Sequence, residues 1–338
     1  MNNMNNMNNM NNQNEYDLYK IIKENYNINR NDIYIKDISD AGKGLVRFKN
    51  FKELLLKDSY FKWDFCIEYF DKCNRVYHIT YKNINFYILS DKPITKKARD
   101  HLFNSIYRVF LIKMLFNIKP TQDFNYYILL NPMKRKLPNK NGDSIGAANI
   151  NGGFTYINSN NVYIVRKEDY EKVILHELLH HHHDIHFEGW TNANIKQIKN
   201  MCGIAEKQYL LPNEAIIETY AIILNTIFYY IEHNLSFANF KKTLAKDKEH
   251  NIAIARKILA KQGKKMWYEK THSYCYIVLR AIFYIYFKEF VRIYRYNNDD
   301  DITSFITMYF PKILRKIREN GRGDNRNKYI KQTIFNNF

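Results

Sequence analysis

The chain has 338 residues, with 52 lysines and arginines against 34 aspartates and glutamates, for a formal charge of +18. That length allows one large domain or two ordinary ones, and the basic balance suits anionic partners such as nucleic acid, acidic proteins or membrane surfaces. The same charge follows from an Asn-, Lys-, Ile- and Tyr-rich composition of the kind an AT-rich genome produces, and no nucleic-acid-binding module accompanies it. Four cysteines, Cys66, Cys73, Cys202 and Cys275, form no C-x-x-C pair and do not suggest a disulfide framework. No apolar leader opens the sequence, and the longest apolar runs, near 221–231 and 274–287, are too short or carry Arg280. The expectation is an intracellular protein without a transmembrane segment, not secreted through a classical signal.

Residues 1–14 repeat Met-Asn-Asn and offer nothing to bury, so a disordered tail is expected. Residues 15–120 read as an N-terminal α/β region. A helix is expected over 16–25 and strands over 32–35, 44–48, 75–81 and 85–89, which are rich in Tyr, Ile and Val. Leu102, Ile106, Val109, Phe110 and Met114 follow helical spacing within 96–117, and Pro120 closes that segment. A catalytic unit over 121–296 begins with a strand at 125–130 and a loop at 133–146. A turn at Asn149-Ile150-Asn151-Gly152-Gly153 follows, then a hairpin of 154–157 with 162–165. After a connecting region at 187–211, helices are expected over 214–232, 241–265, 271–294 and 302–319. The last of these opens a C-terminal unit, 297–338, that ends in a basic tail. That tail contains Arg322-Gly323-Asp324, which chance explains better than integrin binding. The order is that of an α+β protein with a small mixed sheet, a hairpin edge strand packed on an active-site helix, and a mainly helical C-terminal half.

The most informative stretch is His176-Glu177-Leu178-Leu179-His180, an H-E-x-x-H sequence placed where acidic then apolar residues predict a helix. Residues i and i+4 share a helix face, so His176 and His180 can grip one metal ion while Glu177 serves as general base. A catalytic zinc needs a third protein ligand and one open position. Glu214 is the first candidate. Glu218, one turn later, can fix the tautomer of a ligating His, and a mainly apolar helix does not otherwise want two acids. His186 is the alternative, because His176, His180 and His186 reproduce H-E-x-x-H-x-x-G-x-x-H. There, however, His183 stands where that pattern has its turn-forming Gly.

The run Asn213-Glu214-Ala215-Ile216-Ile217-Glu218 resembles the gluzincin pattern of a ligating Glu followed one turn later by a second acid. Together with Asn-Ile-Asn-Gly-Gly, Arg166-Lys167-Glu168, the H-E-x-x-H and Thr271-His272-Ser273-Tyr274-Cys275-Tyr276, it is similar to metallopeptidases predicted in large DNA viruses, over about 125–290. The resemblance implies a zincin-like fold, with an edge strand beside the metal that holds an extended peptide. It also implies a zinc-dependent metallopeptidase in host cytoplasm or virion, with Glu177 as base and His272 or Tyr274, with Tyr276 as a further candidate, stabilising the oxyanion. Packing of the final helices explains any single one of these aromatics better. Two other readings stay open: an inactive zincin-fold binding or virion-structural protein, and a basic nucleic-acid-binding protein with a chance H-E-x-x-H.

Overall fold

In the computed structural model the described residues are 10, 13–39, 43–58, 63–138, 143–185, 189–294, 298–319 and 329–335. Of the first 14 residues, Met10 is buried and Asn14 caps the first helix, while residues 1–9, like Arg322-Gly323-Asp324, lie outside the described set.

Strand periodicity organises the N-terminal half. Six strands form one mixed sheet in the order β1-β2-β3-β4-β6-β5. They are β1 (Tyr34–Asp37), β2 (Arg75–Tyr81), β3 (Ile84–Ser90), β4 (Phe124–Leu129), β5 (Gly153–Thr155) and β6 (Asn161–Ile164). β3, β4 and β6 run parallel, and β5 returns antiparallel on β6 as an edge. Alternate residues point to opposite faces. Phe86, Ile88, Tyr126, Ile128, Val162 and Ile164 therefore enter one core, and Tyr87, Leu89, Tyr127, Leu129, Tyr163 and Val165 another. The sheet continues across residue 120, since β3 pairs with β4, so the boundary expected there falls inside it.

A ladder of rings crosses five of the strands at matched register. His78 stacks on Tyr87, Tyr87 on Tyr127, Tyr127 on Tyr163, and Tyr163 on Phe154, with centroids 4.6–5.4 Å apart. Such cross-strand pairs contribute about 0.2–1 kcal/mol each. They run out to Phe154 and so help to hold the short edge strand in place.

The second core is closed by α2 (Lys43–Lys57) and α3 (Asp64–Phe70). The strand expected over 44–48 is instead the start of α2. Its buried residues Phe48, Phe51 and Leu55 recur at helical spacing, and a five-residue apolar window is too short to separate the two periods.

The first core holds the rest. α1 (Glu15–Asn25) and α4 (Lys96–Leu115) match their expected spans, although Met114, placed on the apolar face of α4, is half exposed. The one-turn α5 (Ala147–Ile150) precedes β5. The motif helix is α6 (Tyr170–Leu179), followed by α7 (Asn192–Cys202), α8 (Pro212–Glu232) and α9 (Phe237–Gln262). α8 starts with Pro at its first position, where the missing N–H costs nothing, and is buried along nearly its whole length. The aromatic segment after it is not one helix. It opens as a π-helical turn over Tyr274–Leu279, continues as α10 (Arg280–Ile285), breaks at Tyr286 and resumes as α11 (Phe287–Ile293). α12 (Asp299–Glu319) packs across α7, α9 and α10. The result is an α+β protein whose sheet lies between two helical layers, and no helix among the described residues is long and apolar enough to cross a membrane.

Candidate metal centre

α6 and α8 pack against each other and place the candidate ligands. α6 ends at Leu179, but His180 keeps helical angles, so His176 and His180 stay on one face. Their Nε2 atoms lie 3.2 Å apart. Glu214, in the first turn of α8, brings Oε2 to 3.3 Å from His176 Nε2 and 3.5 Å from His180 Nε2. Glu214 Oε2 is buried and makes no hydrogen bond among the described residues.

These edges test the fit to a metal. Four ligands at about 2.0–2.1 Å in tetrahedral array stand about 3.3 Å apart, which is the triangle the three atoms make. Two imidazole nitrogens and one carboxylate oxygen form a donor set suited to zinc, and three ligands leave a fourth position open. His186, the alternative third ligand, lies outside the described residues.

The charges around the triangle are arranged in depth. Glu218 is buried, with Oε2 2.8 Å from His176 Nδ1. Lys172 Nζ donates to both Glu218 oxygens, at 2.6 and 2.8 Å, and Arg280 Nη1 to Oε1 at 3.0 Å. Asn251, with its amide oxygen turned inward, accepts from Arg280 Nε and Nη2 at 2.6 Å. Burial opposes ionisation of Glu218, yet Lys172, His176 and Arg280 outweigh it and hold the carboxyl well below the usual range. Burial also opposes ionisation of Glu214, but His180 and His176 hold it at about 2. Burial disfavours charge on His176, and Glu214 and Glu218 override that to raise it to about 10.

Glu177 lines a cavity beside the triangle, together with His176, Tyr276, Asn151, Gly152 and Gly153. Burial pushes its carboxyl up to about 8, with Glu214 and Glu218 adding to the rise against His176 and Lys172. The two glycines let β5 approach α6. A Cβ on Gly152 would sit 2.6 Å from Val173 Cγ2, and one on Gly153 would sit 2.9 Å from Val173 Cγ1 and 2.7 Å from the Tyr163 carbonyl. Val173 is one turn before His176 and Glu177, so this close approach sets the edge strand beside the site. Arg135 and Arg166, both fully buried, hold the approach to β5 by donating to the carbonyls of Ile150 and Asn151.

The segment 272–276 forms the opposite wall. His272 and Tyr276 are a turn apart, with the Tyr276 amide donating to the His272 carbonyl at 2.9 Å. Both are partly exposed, and Tyr276 sets its ring edge-on to His176, with centroids 5.7 Å apart. Burial lowers the His272 imidazole against the opposing pull of Glu214. Asn151 Oδ1 accepts from Thr271 Oγ1 at 2.5 Å and ties this wall to the edge strand. Tyr274 is not brought to the site. It is fully buried, packs on Trp267 and donates its hydroxyl to the Cys202 carbonyl at 3.2 Å. Tyr276 occupies the place expected of it, because a turn of this segment presents positions 272 and 276 together while position 274 faces the core. Lys172 and Arg280, which both donate to Glu218, are the charged neighbours of the cluster that the sequence did not single out. A buried Lys on the motif helix and an Arg inside an apolar run were the available signals. Against known proteins, the chain matches no family model, no curated protein and no solved structure.

Proposed function

We propose that this chain is a zinc-dependent metallopeptidase of gluzincin-like, zincin-type architecture. The observation that carries the reading is the triangle of His176, His180 and Glu214, with edges of 3.2–3.5 Å and Glu177 beside it. A zinc ion held there would polarise a carbonyl and lower the pKa of a water toward neutrality.

The protein's own groups supply the rest. Glu177 takes a proton from the attacking water and later returns it to the leaving amine. Its carboxyl is raised by burial and by two neighbouring carboxylates, and a dication in the triangle would bring it back down. Glu218 holds His176 with Nε2 toward the triangle. His272 and Tyr276, on the wall opposite the edge strand, would be the donors to the oxygen on which negative charge develops. The outer edge of β5, paired with no further strand among the described residues, would offer backbone groups to an extended peptide by strand addition, which reads backbone more than side chains.

The test is cleavage of a peptide library by the zinc-reconstituted full chain, beside Glu177→Gln. Cleavage by the parent protein that falls about 10²–10⁴-fold in Glu177→Gln, with zinc content unchanged, is the expected result. A zinc-loaded parent protein that cleaves nothing, or a Glu177→Gln variant of full activity, would remove the peptidase reading.

A further inference from the structure

The segment 329–335 reaches the metal centre from behind. Gln332 is buried and lines the same cavity as Glu177, His176 and Glu218, although 114 or more residues separate it from them in sequence. Gln332 Oε1 accepts from Lys172 Nζ at 2.6 Å. The Lys172 ammonium has three hydrogens in fixed directions. The two Glu218 oxygens, at 2.6 and 2.8 Å, belong to one carboxylate and share one of them, and Gln332 takes another. This second acceptor fixes the rotation of the ammonium, and with it the direction of the hydrogen that Glu218 shares. Glu218 in turn stands 2.8 Å from His176 Nδ1. Simple closure of the core would be served by an apolar residue at 332, and that would leave a buried donor unmet.

The same segment has anchors that bypass this path. Gln332 N and Thr333 Oγ1 donate to Asp169 at 3.0 and 2.6 Å, and Ile334 N donates to Asp247 at 3.2 Å. These seat the backbone and leave the Gln332 side chain free to serve Lys172.

We propose that Gln332 is a positioning residue for the metal centre, acting through Lys172 and Glu218 on the orientation of His176. The inference rests on the metal-site reading above and extends it to the far end of the chain. An outer partner of a ligating His typically changes metal affinity by about 10–100-fold, and a residue two contacts beyond that partner, as Gln332 is beyond Glu218, belongs at the lower end of that range.

The experiment is a zinc titration of the full chain against a competing chelator, with the melting temperature of each metal-free variant measured alongside. Gln332→Leu should weaken zinc binding about 10-fold while remaining folded, and Gln332→Glu, which keeps an acceptor, should recover most of that loss. Gln332→Asn withdraws the amide from Lys172 and gives the same reading should the leucine variant not fold. Thr333→Val cuts one of the tail's two bonds to Asp169 without touching Lys172, so it should lower the melting temperature and leave zinc affinity within about 2-fold of the parent. In a Glu218→Gln background, Gln332→Leu should add nothing, because the path is already broken. Full zinc affinity in folded Gln332→Leu, or an equal loss in Thr333→Val, would overturn this inference alone. A parent protein that takes up no zinc would overturn it together with the metal-site reading.

Discussion

α6 and α8 carry buried charge at two places, and the two are built differently. At one, Glu171 near the start of α6 and Glu232 at the end of α8 meet Arg108 from α4. Arg108 donates to Glu232 at 2.7 and 2.5 Å, and to Glu171 and Asn225 at 3.1 Å each. Glu171 also meets His101 Nδ1 at 3.0 Å. Donors and acceptors match there, and the cluster is complete within the chain. At the other, His176, His180 and Glu214 turn a nitrogen, a nitrogen and an oxygen toward one point, and Glu214 Oε2 makes no hydrogen bond among the described residues. Lys172 and Arg280 stand nearby but are committed to Glu218. Buried charges that pair off hold helices together. Buried electron pairs that converge on one point, with only the two imidazoles themselves to offer a proton, suit a cation.

If that contrast is right, substitutions at the two places part company. His176→Ala, His180→Ala and Glu214→Ala should each abolish stoichiometric zinc binding while the chain still folds, as read by metal analysis and circular dichroism. Arg108→Ala strands two buried carboxylates and should lower stability by about 3–5 kcal/mol, seen in denaturant unfolding, with zinc content per folded chain unchanged. Loss of zinc without loss of stability in Arg108→Ala would break the comparison.

Glu269 is a third case, a buried carboxylate met by neutral donors among the described residues. It accepts from Ser273 Oγ and, at 3.1 Å, from the Tyr274 amide. Burial raises it from 4.5 to about 7. The folded state therefore holds the proton more tightly than the unfolded one. The stabilising contribution is full below about pH 4.5 and is lost as pH rises toward 7, by about 3 kcal/mol at most. Glu269→Gln should flatten that part of the stability profile, and an unchanged slope between those pH values would contradict the assignment. A smaller effect than loss of a ligand is expected of Glu218→Gln, which should weaken zinc binding by about 10–100-fold without abolishing it.

Much of the site was legible because its logic is local. His176 and His180, Glu214 and Glu218, and His272 and Tyr276 are all pairs four residues apart, and a helix turns such spacing into a shared face. Asn151-Gly152-Gly153 marked a turn, and the hairpin after it formed, though over the shorter pairing of Gly153–Thr155 with residues 162–164. What sequence reasoning missed depends on distant contacts or on irregular backbone. Lys172 and Gln332 meet across 160 residues, which no spacing announces. Tyr274 was grouped with its neighbours because a π-helical turn and the burial of one ring cannot be read from a string of aromatics. The start of α2 read as a strand because Gly44, Leu45 and Val46 suit either period, and only Phe51 and Leu55 further on decide between them.

The most direct measurement is the zinc content of the purified full chain after reconstitution, beside Glu214→Ala and His186→Ala. The account predicts one zinc per chain in the parent protein, lost in Glu214→Ala and kept in His186→Ala. No zinc in the parent protein, or zinc kept in Glu214→Ala and lost in His186→Ala, would contradict it.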